Sequence, residues 1–253
     1  MADKTGISWT NHTWNPWQGC TQVTEGCTNC YMFRDKIRYG QNPEVVVRSS
    51  DPTFRRPRTA KNWKPGDLVF TCSWSDWFHP DADQWRDEAW GIVRDTPQYT
   101  YQILTKRPNR ILAHLPADWG LGYPNVWLGV SVENQTKDWR IGLLSRVPAA
   151  IRFVSYEPSL GPLTISRWWQ AVDWLIVGGE SGGNDARPFD PEWAADAIRE
   201  GKQYGIPIFV KQLGSRWARQ HQAADPHGAD PLEWPPFIRV QDYPSGWGKD
   251  RGE

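Results

Sequence analysis

The sequence carries no excess charge of either sign: 29 Lys and Arg balance 29 Asp and Glu, for a formal net charge of +0. That excludes a globally basic coat gripping any polyanion, while leaving room for a local basic patch. No apolar run approaches the roughly 18 residues that a membrane span needs. The opening stretch MADKTGISWTNHTWNP has no apolar core of a signal peptide, so the expected location is the cytoplasm. Cysteine is scarce, with 4 in 253 residues. In a cytosolic chain of this size, so few point to metal or redox chemistry rather than a disulfide framework. There is no repeat of fixed period and no low-complexity tract. A GxGxxG after the first strand, a P-loop, HExxH and GxSxG are all missing. Dinucleotide, P-loop, zincin and hydrolase readings therefore have no motif to stand on.

What is present suits one large domain. The hydrophobic fraction is 39%, and with 22 glycines the apolar content reaches the ordinary globular level. The 18 tryptophans are read as composition rather than as a functional signal. Six short runs rich in β-branched and aromatic residues end in polar clusters, at residues 67–76, 99–108, 125–134, 151–158, 173–183 and 205–214. Each has the length and punctuation of a buried strand. Helix-like segments lie between several of them, at 81–94 and 191–204, with weaker ones at 108–115 and 136–145. Asp190 followed by Pro191 has the chemistry of a helix start.

Alternation at a spacing of roughly 25 residues predicts an α/β fold with a parallel sheet, a full or partial (β/α) barrel. The barrel is expected over 1–214, with 215–253 an extended Pro-rich tail packed on it. Asp76, Lys106 with Arg107, Ser131 with Glu133, Glu157, Gly178 to Glu180, and Lys211 all fall at the C-terminal ends of predicted strands. Active sites of β/α barrels are built on that face. Asp76, Lys106, Glu157 and Glu180 are therefore the candidate catalytic residues, Glu157 and Glu180 as an acid/base pair. Ser131, Glu133, Gly178, Gly179 and Glu180 are candidates for cofactor binding. A Gly-Gly pair after a strand lets a ligand approach the backbone, and Glu180 can accept from an amine or ribose. His79, close to Asp76 in sequence, reads as a satisfied structural histidine.

Cys20, Cys27 and Cys30 lie within eleven residues, in NPWQGCTQVTEGCTNCY. Thiolates are soft ligands, and Gly19 and Gly26 allow the tight turns that wrapping a metal requires. Two arrangements follow: three thiolates on a 4Fe–4S cluster with one open iron, or a closed structural zinc site completed by Cys72 or His12. The three clustered cysteines favour the open arrangement. Cys72 reads as a buried core thiol.

The GC-x6-C-x-N-C-Y arrangement resembles the cluster loop of radical S-adenosylmethionine (SAM) enzymes, nearest in flavour to the spore photoproduct lyase branch. The usual loop is C-x3-C-x2-C with an aromatic before the last cysteine; here the first gap is six residues and Asn29 holds the aromatic's place. The resemblance implies that Cys20, Cys27 and Cys30 bind a 4Fe–4S cluster whose fourth iron takes SAM, with an external electron donor. More broadly, TGISWTNHTWNPWQGC, SWSDWFHP, ILTKRP, LGVSVEN, SYEPSLGP, IVGGESG and FVKQLG resemble a phage and bacterial family of unassigned function. Some of its members are encoded near a three-Cys-motif partner protein, which that resemblance makes a possible partner.

One feature points to a substrate class. Residues 48–64 carry Arg48, Arg55, Arg56, Arg58, Lys61 and Lys64 against the single acid Asp51, with Phe54 and Trp63 interleaved. Cations for phosphates beside aromatics for bases suit a nucleic acid or nucleotide. The leading expectation is a radical SAM-like enzyme that modifies or repairs such a substrate. The alternatives are a zinc-stabilised binding protein acting through a partner, and a metal-dependent nuclease or base-modifying enzyme.

Overall fold

The computed structural model describes residues 5–247. They form two compact units: residues 5–23, 32–129 and 146–151 belong to the first, and 24–31, 130–145 and 152–247 to the second.

The first unit contains β1 (His12–Trp14), β2 (Trp17–Gln18), most of α1 (Tyr31–Arg38), β3 (Val47–Arg48), α2 (Asp51–Phe54), α3 (Arg56–Thr59), β4 (Leu68–Thr71), α4 (Asp83–Asp95) and β5 (Thr100–Thr105). β1 runs parallel to β4 with His12 opposite Val69, and β4 parallel to β5 with Leu68 opposite Thr100. Every residue of β4 is buried, as expected of a strand covered on both faces. The tryptophans, read from sequence as composition, build this unit's core. Trp77 packs against Trp14 at 5.8 Å, Trp17 at 5.2 Å and Trp90 at 5.0 Å, and Trp90 in turn against Trp119 at 5.5 Å. Four of these indole N–H groups find backbone acceptors, Trp14 donating to the Phe54 carbonyl, Trp17 to that of Asp76, Trp90 to that of His114 and Trp119 to that of Pro148, while that of Trp77 is buried without one. A large ring buried with its one donor satisfied contributes area without an orphaned polar group.

β6 (Val126–Ser131) begins in the first unit and ends in the second. The second continues with α5 (Trp139–Leu144), β7 (Ile151–Tyr156), β8 (Trp174–Gly178), α6 (Pro191–Tyr204), β9 (Ile208–Gln212) and α7 (Ser215–His221). β7, β8 and β9 are parallel, with a bulge between Val177 and Gly178. α6 starts as its sequence dictates: the Asp190 carboxylate accepts the Glu192 N–H at 3.0 Å, Pro191 takes the first position, and Gly205 ends it with φ +71°. The tail does more than extend. It opens with α7, and Gln241 later bridges Phe209 antiparallel, so the chain near 240–242 covers the β9 edge. Tyr243 stacks on Trp174 at 5.4 Å.

The seven main strands hydrogen-bond in the order β1-β4-β5-β6-β7-β8-β9. A seven-stranded parallel sheet with intervening helices is the expected α/β class and the pattern of a partial β/α barrel. Among the described residues, no helix is long and apolar enough to cross a membrane.

Candidate functional site

In each compact unit, polar groups at or just past strand ends bond to the stretch of chain that carries its cysteines. In the first unit, Gly19 has φ +98°, and a Cβ there would sit 2.8 Å from the Val45 carbonyl carbon, so only glycine fits. The Ser75 hydroxyl donates to the Gly19 carbonyl at 2.5 Å, and the Cys20 N–H donates to Pro43 at 2.9 Å. Arg107, two residues past β5, reaches the same turn. Its Nη2 donates to the Thr21 carbonyl at 2.9 Å and the Thr21 hydroxyl at 2.8 Å, while Nη1 faces Cys20 Sγ at 3.6 Å and Asp76 at 3.2 Å.

Asp76 is filled rather than poised for catalysis. One oxygen accepts from the Thr105 hydroxyl at 2.7 Å and the Phe78 N–H at 2.9 Å; the other accepts from the Lys106 N–H at 3.0 Å and from Arg107. Burial works against the Arg107 charge, but Asp76 and Cys20 together hold its pKa above the ordinary value. His79 is buried beside them. Its Nδ1 accepts the Asp81 N–H at 3.2 Å, which leaves Nε2 to donate to the Thr21 hydroxyl at 3.0 Å. Burial, aided by the Arg107 charge, pushes the His79 pKa below the usual histidine range. A neutral, doubly bonded His79 fits the structural role expected of it. Cys72 lies buried just past β4 with φ +54°, and burial pushes its thiol well above the ordinary pKa. His12, the other residue considered as a fourth metal ligand, bonds Asp67 at 2.7 Å and stacks on Trp63 at 4.5 Å.

The second unit holds residues 24–31. The Thr24 hydroxyl donates to Glu133 Oε1 at 2.8 Å. A Cβ on Gly26 would lie 2.5 Å from that same side chain, so the turn carrying Cys27 rests directly on Glu133. Glu133 is itself fully buried against Arg140, with Nη1 at 3.0 Å from the carboxylate and 2.7 Å from the Ser131 carbonyl. Nε and Nη2 of Arg140 are buried without a hydrogen-bond partner. Asn29 donates to Glu180 at 3.0 Å and to the Asp185 carbonyl at 2.9 Å. Arg187 clamps Glu180 through its backbone N–H at 2.9 Å, its Nε at 3.0 Å and a second guanidinium bond, and reaches the Glu25 carbonyl at 2.8 Å. Burial raises the Glu180 pKa, yet the bonds from Arg187 and Asn29 outweigh it and leave the carboxyl below its ordinary value. Glu180 is thus a carboxylate gripping the loop rather than a proton donor.

Glu157 forms an ion pair with Lys211 at 2.5 Å, both half-buried. Gly178 lies under that pair, its would-be Cβ 3.3 Å from Glu157. Gly179 was expected to admit a ligand; the group that approaches it is the protein's own backbone, with the Leu213 carbonyl carbon 2.5 Å from a would-be Cβ.

The basic segment also differs in detail from its sequence reading. Phe54 and Trp63 are core residues, packed against Trp14 and His12, and are not available to stack on bases. Arg48 pairs with Asp51 and Glu88, Arg55 with Glu88, and Arg58 with Asp95. Arg55, Arg58 and Lys61 are exposed and Arg56 half-buried. Exposed pairs of this kind contribute only about 0–1 kcal/mol.

Sequence reasoning found the acids, and Arg107 among the strand-end cations, but not Arg140 or Arg187. A signal existed: Glu133 and Arg140, like Glu180 and Arg187, stand seven residues apart just past a strand. None of the four cysteines is in a disulfide, and the three loop thiols are half-buried. Thiolates are the ligand type that iron–sulfur clusters take, and three of them would hold three irons, one short of the usual four-cysteine set. Among the described residues, no group of three or more His, Cys, Asp or Glu side chains is already gathered around one point. No curated protein matches the chain, and no solved structure does. A family described as "Protein of unknown function (DUF5131)" matches residues 4–235, and the chain belongs to that family.

Proposed function

We propose that this protein is an iron–sulfur enzyme of radical SAM type acting on a nucleic acid or nucleotide. One observation carries the reading: the cysteine loop is anchored almost residue by residue by charged strand-end groups, and the anchored residues alternate with the cysteines. Arg107 takes Thr21, Glu133 takes Thr24, Arg187 takes Glu25, and Glu180 takes Asn29. Cys27 falls between those grips, and Cys20 and Cys30 each lie next to one of them, Thr21 and Asn29. Four buried or half-buried charges spent on a loop of eleven residues make sense if its thiols must be presented in fixed positions. Cys20, Cys27 and Cys30 would hold the cluster, with one iron left for SAM. Bound there, the cluster would supply the electron for reductive cleavage of SAM, and that electron must come from an external donor. Asp76, Glu133 and Glu180 support the loop, which leaves Lys106 and the Glu157–Lys211 pair as the half-exposed strand-end charges nearest to a catalytic role. The family resemblance adds a three-Cys-motif protein as a partner, and reduced thiols suit the cytoplasm.

Metal and sulfide analysis on protein purified without oxygen tests the cluster. About four irons and four sulfides, a visible spectrum bleached by dithionite, and loss of both in Cys20→Ala, Cys27→Ala or Cys30→Ala are expected. One tight zinc and a featureless spectrum after iron–sulfide reconstitution would overturn the reading in favour of a structural clasp.

The substrate class rests on the exposed cations of the 55–61 segment, now without the aromatic half of the argument. Reversing Arg55, Arg56 and Arg58 to Glu is expected to abolish binding of a single-stranded oligonucleotide and flatten its salt dependence. Binding that survives reversal and ignores salt would remove this substrate.

A further inference from the structure

We infer that the exposed face of α1 is a binding site for single-stranded nucleic acid, in which Arg34 and Arg38 take backbone phosphates and the Tyr39 ring stacks on a base. The inference deepens the nucleic-acid reading above and rests on it, but through residues outside the 55–61 segment. Arg34 to Tyr39 all lie in the first unit. The spacing of α1 sorts its side chains. Met32 and Lys36, four residues apart, are the buried pair. Arg34 and Arg38, also four apart, share the opposite side, with Ile37 on one flank and the half-buried Asp35 on the other. Tyr39 carries the turn past the helix end, its N–H shared between the Asp35 and Lys36 carbonyls at 3.1 Å each. Ile37 is 64% and Tyr39 67% exposed.

The charges of this face are open, unlike those of the 48–58 stretch, where Arg48, Arg55 and Arg58 each face an acid. Arg38 is exposed and, among the described residues, makes no ion pair and no side-chain hydrogen bond. Arg34 meets only its neighbour Asp35, at 3.7 Å, which is beyond hydrogen-bond reach. The buried side of the helix does not offset them. It carries Lys36, whose pKa is pushed down by burial with no carboxylate beside it. Three cations thus stand on α1 against one acid. Helix physics alone explains only part of this. The dipole favours a cation in the last turn, where Arg38 sits, but not at Arg34, and like charges four residues apart repel. A polyanion lying along the face gives both arginines a counter-charge.

Tyr39 identifies the kind of polyanion. It is the one exposed Phe, Trp or Tyr among the described residues of the first unit, and its side chain has neither a ring contact nor a hydrogen bond among them. Phe54 and Trp63 cannot stack on a base because the core holds them; Tyr39 has its ring free. Stacking also needs the flat side of the base to be free, as it is in a single strand and is not within a duplex. An acidic protein would satisfy the arginines equally well, but it would leave the ring without a planar partner.

The test uses the full chain and two labelled strands of one mixed sequence. A fluorescein-labelled strand gives affinity by anisotropy between about 50 and 200 mM salt, and a strand carrying 2-aminopurine reports stacking by its quenching. Tyr39→Ala should weaken single-strand binding about tenfold, abolish the quenching and leave the salt slope unchanged, while Tyr39→Trp keeps all three. Arg34→Gln with Arg38→Gln should make the slope shallower by about 1.4, at about 0.7 for each phosphate lost. The matching duplex should bind the parent and Tyr39→Ala alike. Neither Tyr39 nor Arg38 holds another side chain, so the variants should melt with the parent. A parent that binds the strand, with variants that match it in affinity and slope, overturns the α1 site and leaves the nucleic-acid reading to residues 55–61. A parent that binds no strand at about 50 mM salt overturns both. Displacement of the strand by polyglutamate as readily as by unlabelled strand of equal charge overturns the site in favour of an acidic protein. A parent dimer that Tyr39→Ala dissociates, with oligonucleotide affinity unchanged, overturns it in favour of a contact between copies.

Discussion

Replacing Glu133 by alanine should lower the thermal midpoint by on the order of 10 °C, while the double change Glu133→Leu with Arg140→Met restores most of it. The reason lies in how the pair is buried. Both side chains are fully inaccessible, and the Glu133 carboxylate faces the Arg140 guanidinium at 3.0 Å. Removing one member of such a pair costs roughly 3–5 kcal/mol, since the remaining charge is buried with no opposite charge and only the Ser131 carbonyl to accept from it. Removing both costs little, and here it should cost less than usual. Two of the Arg140 nitrogens already lack hydrogen-bond partners, so the folded state carries a desolvation penalty that an apolar pair of similar volume would relieve.

The double variant separates stability from the role of the loop. It regains a core but not the acceptor for the Thr24 hydroxyl, nor the surface on which Gly26 sits. Its midpoint should recover while amide exchange across residues 24–30 speeds up and cluster retention falls. A double variant that is stable, unchanged in exchange at the loop, and fully loaded with iron would show that Glu133 is only core. Calorimetry with hydrogen-exchange mass spectrometry decides it.

The strands were legible because burial on both faces leaves a plain mark: LVFT, VWLGVS and WLIVG are buried along their whole length. α6 was legible from its cap, where Asp190 does locally what its sequence position announces. Elements whose stability comes from outside their own residues were not. β1 is three residues long and exists because it pairs with β4; α7 starts a stretch rich in Pro and Asp and buries Trp217 and Ala218 against its unit. At the site, residue types were legible and partnerships were not. An acid at a strand end looks catalytic until its cation is found. For Asp76 that cation is Arg107, thirty-one residues away and just past the next strand, β5, where no local pattern links them. The tryptophans misled for the same reason: composition records their number, and only packing shows five of them joined ring to ring from Trp14 and Trp17 to Trp119.

Gly178 and Gly179 look equivalent in sequence, and the fold makes them opposites. A methyl group on Gly179 would lie 2.5 Å from the Leu213 carbonyl carbon and 2.9 Å from the Gly214 nitrogen, both backbone atoms. Backbone cannot swing aside like a side chain. Here it is further tied, since the Gly179 N–H donates to Gln212 at 2.9 Å and the Gln212 amide donates back to the Gly179 carbonyl at 2.9 Å. Gly214, at φ +91°, packs as tightly against Glu180 from the other side. Gly179→Ala must therefore push the ends of β8 and β9 apart, at more than the 1–3 kcal/mol of ordinary overpacking. The displacement carries Glu180 with it, and Glu180 holds both Arg187 and Asn29. We expect Gly179→Ala to be recovered mainly as insoluble protein, with any soluble fraction unable to retain metal. Gly178→Ala is the control. Its methyl would meet only the Glu157 side chain, at 3.3 Å, and that side chain can turn away. It should fold within about 1 kcal/mol of the parent. Equal behaviour of the two variants in solubility and thermal midpoint would mean that the β8–β9 junction is looser than its geometry, and that the Glu180 anchor does not depend on it.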